Sequence, residues 1–213
     1  WRDSRIPNEQ RTLVDSDLRR MYFGYPSKVY RIAAEAIART ELIAPSIFEV
    51  GCASGYYSEA LPHLLGHSIN YVGADYSLAL VSQGRAIYPT MPLMIADACS
   101  LPVASASYDV LFSATVLLHV KNYEIVIAES ARVSRMWCIF HRTPVVSQTP
   151  TSAFSKFAYG VPTVEYAFNV KELFDLFSKY HLEIIEAFDI EKYRLPSLDE
   201  PVCMTTYLTR KML

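Results

Sequence analysis

The sequence predicts an α/β fold: a doubly wound sheet of seven strands, mostly parallel, with an antiparallel strand at its C-terminal edge. Three observations lead there. Short apolar runs that read as strands alternate with stretches of helical periodicity, the pattern of right-handed βαβ crossovers. The 213 residues suit a single domain spanning 1–213, long enough to bury a core. The last two apolar runs are joined only by the short connection EKYRLPSLDEP, too brief for a crossover helix and suited to an antiparallel pair.

Taken in order, residues up to about Tyr25 read as polar and mixed, an N-terminal lid. Ser27 then precedes KVYRIAAEAIART, whose Val29, Ile32, Ala33, Ala36 and Ile37 recur at helical spacing. SIFEV (46–50) reads as a buried strand, YYSEALPHLL as a helix with Pro62 as an internal blemish, and INYVGA (69–74) as the second strand. A helix over Leu78 to Ile87 leads to PLMIA (92–96), and YDVLFSA (108–114) is the fourth strand, followed by a helix around Tyr123 to Ser130. MWCIFH (136–141) makes the fifth strand. After a polar connection, VKELFDLFSKY is an amphipathic helix running into LEIIEAFDI (182–190), and CMTTYLTRK (203–211) comes last.

A hydrophobic content of 51% against 20% charged residues argues against disorder, yet no apolar run approaches the roughly 18 residues that a membrane-spanning helix needs. Nothing near the start resembles a signal peptide, so a soluble cytoplasmic protein without a membrane partner is the expectation. The chain opens on Trp1 rather than Met, which fits a trimmed protein or one segment of a longer one. Cys52, Cys99, Cys138 and Cys203 lie far apart with no C-x-x-C pair and read as buried thiols, neither a zinc site nor a disulfide scaffold. The net charge of −2 hides an asymmetry: between Glu41 and Val120 the only basic residue is Arg85, against Glu41, Glu49, Glu59, Asp75, Asp97 and Asp109. Such a stretch is a poor partner for phosphates, and no nucleic-acid surface is expected.

In doubly wound sheets, ligands bind beyond the carboxyl ends of the strands where the winding reverses, and the first strand-loop-helix is the usual place. That loop is FEVGCASGYYSE. Gly51 and Gly55 allow tight backbone geometry and close approach of a ligand, and the N–H groups opening the next helix point into the gap. Twenty residues after Gly55, Asp75 ends the second strand, where a carboxylate accepts hydrogen bonds from both hydroxyls of a ribose. Asp97 ends the third strand, placed for an exocyclic adenine amine, with the amide of Ala98 beside a ring nitrogen. The ligand reads as a nucleoside. The spacing Glu49-x-Gly51-x-x-x-Gly55 is not the G-x-G-x-x-G of dinucleotide sites. An acid before the glycines in a nearly cation-free half suits an ammonium and a sulfonium better than a pyrophosphate.

Four segments together resemble the class I S-adenosylmethionine-dependent methyltransferases of the small, type 11-like kind, from about Arg31 to Lys211. They are FEVGCASGYYSE, YVGADYS, IADACSLPVASASYDVLFSATVLLHV and CMTTYLTRK. The resemblance implies a Rossmann-like fold with S-adenosyl-L-methionine (SAM) as cofactor. It further implies that Glu49 anchors the methionine ammonium, directly or through water, and that the Gly51-Cys52-Ala53-Ser54-Gly55 backbone lines the methionyl side. Asp75 would bind the ribose, Tyr76 and Ser77 would flank ribose and adenine, Asp97 and Ala98 would meet the adenine edge, and Ser113 would offer its backbone near the methionine. Ala53 departs from the family, which often has a glycine there.

Methyl transfer is an in-line displacement, so the protein aligns the acceptor, excludes water and takes up a proton where the acceptor is a hydroxyl. His119, shortly after the fourth strand, and His141, ending the fifth, are the candidate catalytic residues. The acceptor pocket is expected to be closed by two aromatic segments. One is MYFGYPSKVY, with Tyr22, Phe23 and Tyr25; the other is the insertion 142–169, with Phe154, Phe157, Tyr159, Tyr166 and Phe168, and Gly24 and Gly160 would serve as hinges. Tyr22, Tyr25 and Tyr159 are the candidate substrate contacts. The fourth strand ends in SATV, without the Asn- or Asp-Pro-Pro-aromatic signature of amide and base methylation, and no metal triad is evident. A hydroxyl oxygen on a small molecule is therefore the leading acceptor. A small amine, a protein side chain, or a non-catalytic SAM-binding module are the alternatives, with an NAD-dependent oxidoreductase disfavoured by the glycine spacing.

Overall fold

The cofactor-loop strand β1 (Ser46–Val50) pairs in parallel with β2 (Asn70–Asp75) on one side and with β4 (Tyr108–Ala114) on the other. From this centre the computed structural model, which describes residues 5–158 and 160–212, builds its sheet in both directions. β2 continues to β3 (Leu93–Ile95), and β4 to β5 (Ser134–Val146), so the winding reverses between β1 and β4. The strand order is β3-β2-β1-β4-β5-β7-β6, with β9 (Val202–Lys211) pairing β5 and β8 (Leu182–Tyr193).

The C-terminal strand β9 is antiparallel, as expected, but it lies between β5 and β8 and leaves β8 on the outside. The expected polar connection is instead a hairpin, β6 (Ser152–Ala158) with β7 (Val161–Asn169), and β7 joins β5 in parallel through Val145 and Val146. This gives nine strands among the described residues.

Alternate residues of the central strands face opposite layers, as strand geometry requires. Ile47, Val110, Phe112 and Ile139 pack against α2 (Lys28–Ala38) and α3 (Tyr57–Leu65). Phe48, Leu111, Cys138 and Phe140 pack against α5 (Tyr123–Val133) and α6 (Val170–Lys179). Side-chain caps set the helix starts: Ser27 accepts from the Tyr30 amide, and Asn169 accepts from Lys171 and Glu172. Ser77 likewise opens α4 (Leu78–Ile87) by accepting from the amide of Leu80.

The N-terminal stretch is not irregular. α1 (Ile6–Tyr22) buries Ile6, Val14, Leu18 and Met21 along one stripe, with Pro7 at its start where a missing N–H costs nothing. Gly24, at φ 86, ends it: its amide reaches the Met21 carbonyl and the Tyr25 amide reaches Arg20, the paired bonds of a left-handed helix stop. α1 is tied down by polar contacts. The Tyr22 hydroxyl donates to Glu59 Oε1 (2.7 Å), the Tyr88 hydroxyl donates to Glu59 Oε2 (2.5 Å), and Arg11 Nη1 donates to the Tyr88 hydroxyl (3.2 Å). No helix among the described residues is long and apolar enough to cross a membrane.

Candidate functional site

A cavity of about 380 Å³ opens at the carboxyl ends of the central strands, the position that the reversal of winding predicts. Its floor comes from the loop after β1. Gly51 takes φ 70, and a Cβ there would overlap Cγ2 of Val116, so only glycine lets the loop lie under the segment after β4. Ala53 adopts φ 51, the left-handed backbone that glycine enters freely and alanine enters at a cost of about 1–2 kcal/mol. What holds it there is Asp75, whose Oδ2 accepts from the Ala53 amide at 2.8 Å while Oδ1 accepts from the Ser77 amide at 2.8 Å. One carboxylate thus fixes the first loop and the start of α4 together. Burial raises the pKa of Asp75 against the lowering effect of those amides.

Gly51, Ala53, Asp75, Tyr76, Asp97, Ala98 and His119 all line this cavity. Asp97 Oδ1 accepts from the Cys99 amide at 2.8 Å, which sets the turn after β3. Cys52, Gly55, Ser77 and Ser113 are adjacent but off the wall. Cys52 is buried, a Cβ on Gly55 would stand 3.0 Å from Leu93, Ser77 spends its hydroxyl capping α4, and Ser113 is 1% exposed within β4. They shape the loops that carry the lining residues.

Four expectations are corrected. Glu49 lies beneath the loop rather than on the wall: the Tyr71 hydroxyl donates to its Oε2, and burial pushes its pKa up to about 8, so near neutrality it is mostly an uncharged acid. Direct contact with an ammonium is not what this arrangement offers. His141 is 1% exposed, its ring stacked on Phe112 with centroids 5.7 Å apart and its Nδ1 2.7 Å from the Thr206 hydroxyl. Its pKa falls well below the ordinary value because burial disfavours the cation, and it does not reach the cavity. Tyr22 points instead to Glu59 and packs edge-on against His63, and Tyr25 is 73% exposed; neither lines the cavity. Tyr159 lies outside the described residues.

The aromatic insertion also differs from expectation. Phe168 and Tyr166 pack on Tyr123 inside the second core layer, and Phe157 at the hairpin end is 72% exposed. The rings that line the cavity are Tyr56 and Tyr76. Hairpin and cavity meet at His119, whose Nδ1 stands 3.4 Å from the Val164 carbonyl of β7 and whose pKa burial pulls down to about 4.

Three contributors to the wall escaped sequence reasoning. Gln10 comes from α1, whose stripe was hidden among charges. Thr115, just after β4, and Arg142, where the pairing of β5 with β9 breaks, take positive φ, 63 and 59 respectively, a conformation that carries no signature in a non-glycine residue.

The residues present fit SAM. The wall carries a backbone cradle at Gly51 that a Cβ would fill, a fixed carboxylate at the end of β2 and a second acid at the end of β3.

Comparison with known proteins agrees. Residues 48–136 match a family described as a methyltransferase domain. Over 127 residues the chain is 29% identical to a probable S-adenosylmethionine-dependent methyltransferase of Mycobacterium tuberculosis, covering 59% of this chain and 43% of that protein. A similarly described protein of Mycolicibacterium smegmatis is 29% identical over 94 residues, covering 44% of this chain and 35% of its own. The matched stretches thus span less than half the length of these relatives. In fold, the chain is similar to a SAM-dependent methyltransferase of Methanosarcina mazei (TM-score 0.65, 16% identity, covering 83% of this chain and 97% of that one). It is also similar in fold to magnesium protoporphyrin IX methyltransferase of Synechocystis PCC 6803 with bound SAM (TM-score 0.59, 14% identity, 93% and 84%). Residues 48–136 thus match a methyltransferase domain, and motifs, sheet order and cavity are similar to those of the class I S-adenosylmethionine-dependent methyltransferases.

Proposed function

We propose that the chain transfers a methyl group from SAM to a small-molecule acceptor, at a hydroxyl oxygen. The observation that carries this reading is Asp75: a carboxylate braced by the amides of Ala53 and Ser77, on the wall of the cavity where the winding reverses. With both oxygens already fixed by N–H donors, it keeps lone pairs for a vicinal diol and pays little ordering entropy on binding.

SAM supplies an electrophilic methyl group on a sulfonium when bound. The chain's own residues supply the rest. Asp75 takes the ribose hydroxyls, Asp97 and the Ala98 amide take the adenine edge, Tyr76 flanks the nucleoside, and the Gly51 to Gly55 backbone runs along the methionyl side. Ala114, Thr115, Val116 and Val120 line the cavity beside the segment carrying His119 and exclude water with largely apolar surface. His119 stays neutral at working pH because its pKa lies near 4. The tautomer that donates Nδ1–H to the Val164 carbonyl carries its lone pair on Nε2, which orients an acceptor hydroxyl by accepting its hydrogen. A base this weak positions the hydroxyl rather than ionising it beforehand, and Nε2 takes up the proton only as the carbon–oxygen bond forms and the hydroxyl oxygen becomes strongly acidic.

Calorimetric titration with SAM, S-adenosylhomocysteine and NAD tests the cofactor: binding of the first two and none of NAD is expected. Release of S-adenosylhomocysteine on adding hydroxylated small molecules then tests transfer. A chain that binds NAD and neither sulfur ligand overturns the reading.

A further inference from the structure

The buried stripe of α1 is interrupted once. Ile6, Gln10, Val14 and Leu18 follow one another at i+4 spacing and share one face of the helix. Ile6, Val14 and Leu18 are 1%, 7% and 4% exposed, whereas Gln10 is half-buried and stands on the wall of the cavity. Helix packing alone selects an apolar side chain at such a position. The side-chain amide of Gln10 makes no hydrogen bond among the described residues, so its donors and its acceptor are open to whatever fills the space.

Two neighbours set where α1 carries this amide. Asn8 Oδ1 accepts from Gln83 Nε2 at 3.4 Å, and Arg11 donates to the Tyr88 hydroxyl while its guanidinium lies 5.6 Å from the centre of the Tyr88 ring. Gln83 belongs to α4 and Tyr88 is its C-cap, so the turn of α1 around Gln10 is held from the α4 side. α4 also supplies Leu80 to the cavity wall, three residues before Gln83 and on the same helix face, and it opens at Ser77, whose amide is bound to Asp75. Glu59 of α3 completes the frame: one of its oxygens accepts from Tyr88 and the other from Tyr22 at the far end of α1. Gln10 thus faces the part of the cavity that Asp75 and Leu80 line, on a helix fixed at both ends.

We infer that Gln10 is a ligand-binding residue whose side-chain amide donates a hydrogen bond to a ribose hydroxyl of the cofactor. The inference rests on the SAM-binding reading above and deepens it. An ionised carboxylate only accepts, so a diol bound by Asp75 spends its hydrogens there and is left with oxygen lone pairs that call for a donor. Asp97, the other acid on the wall, is likewise an acceptor, and the side chains of Ala53, Leu80 and Ala96 are apolar. Gln10 Nε2 supplies the donor. Asp75 and Gln10 then divide the bonding capacity of a hydroxyl between them, one taking its hydrogen and the other its lone pair.

The test is calorimetry on the full chain with S-adenosylhomocysteine and with 5′-methylthioadenosine, which keeps the ribose and lacks the amino-acid end, paired with urea unfolding. Gln10→Leu should weaken both ligands about fivefold, the worth of one neutral hydrogen bond. Because this change completes the apolar stripe, the urea midpoint should stay level or rise. Gln10→Glu keeps the reach and the acceptors but not the donor, so it should bind both ligands at least as weakly as Gln10→Leu. A change below about twofold in Gln10→Leu, a loss confined to S-adenosylhomocysteine, wild-type affinity in Gln10→Glu, or a loss of affinity that comes with a lowered urea midpoint would each overturn the inference. A wild-type chain that binds neither ligand would instead bring down the cofactor reading on which it rests.

Discussion

Gly84 sets two physical effects against each other, and the structure decides between them. It lies inside α4, where replacing glycine by alanine ordinarily stabilises by about 1 kcal/mol through helix propensity. A Cβ at this position would, however, stand 2.6 Å from the Ser54 carbonyl oxygen, 2.9 Å from its carbon and 2.7 Å from Leu93 Cδ1. The leucine methyl can rotate away. The Ser54 backbone cannot, because the loop it belongs to is pinned on one side by Asp75 and on the other by the Gly51 turn. Overpacking of this kind costs about 1–3 kcal/mol, and contact with fixed backbone puts it near 3. Subtracting the gain in propensity leaves a net loss of about 2 kcal/mol for Gly84→Ala, a fall in Tm of roughly 4–8 °C for a chain of this size. Because the displaced atoms belong to the cofactor loop, S-adenosylhomocysteine affinity should fall as well. Urea unfolding, paired with calorimetric titration, measures both. Adding Leu93→Ala should not rescue the variant. A Gly84→Ala protein that is more stable than wild type, or one restored by Leu93→Ala, would refute the reasoning.

Asp75→Ala should weaken S-adenosylhomocysteine binding by about 3 kcal/mol, more than a hundredfold, as two charge-assisted hydrogen bonds are lost; unchanged affinity in the titration removes the ribose assignment. Glu49 makes stability fall with rising pH. The unfolded acid loses its proton near 4.5 and the folded one near 8, so stability is full below the first value and declines across that window. Glu49→Gln keeps an acceptor for Tyr71 and abolishes the decline, so its advantage over wild type should grow from pH 4.5 to 8, with a ceiling of about 5 kcal/mol, in denaturation series at several pH values. Ala53→Gly relieves a left-handed alanine but loosens the unfolded chain, and these effects of about 1 kcal/mol each should nearly cancel; a loss well beyond that in urea melts would show the Ala53 methyl to be packing support.

How much of this was legible in the sequence depended on whether a residue's role was local. The α4 bounds, Leu78 to Ile87, match expectation because Ser77 caps the helix through its own side chain and the periodicity follows at once. β1 and β4 were equally plain, being short apolar runs buried on both faces. α1 was not, since Ile6, Val14, Leu18 and Met21 are spread among six charged residues: its stripe is real but sparse, and it gains stability from α3 and α4 rather than from its own sequence. The hairpin of β6 and β7 was missed because its pairing is with itself and with two residues of β5. In the site, Gly51, Ala53, Asp75, Tyr76, Asp97, Ala98 and His119 lie on one wall because each sits at the end of a recognisable strand or in the loop that follows it. Glu49 and His141 were misjudged for a reason of parity: strand alternation turns both toward the buried layer, one against Tyr71 and the other against Phe112. Arg142 was invisible because a single bulge, which no composition encodes, reverses that parity.

The place of β9 has a consequence for the order in which the cleft comes into being. During synthesis β1 to β4 emerge well before β9, and they contain every strand partner that the end holding Asp75 and Asp97 needs. β5 does not share this independence: seven of its residues, from Trp137 to Val145, await partners between Cys203 and Arg210, and the bulge that carries Arg142 is defined only once that ladder closes. A nascent chain can therefore shape its nucleoside-facing half while the opposite half is still an open edge, and the arginine takes its final aim last.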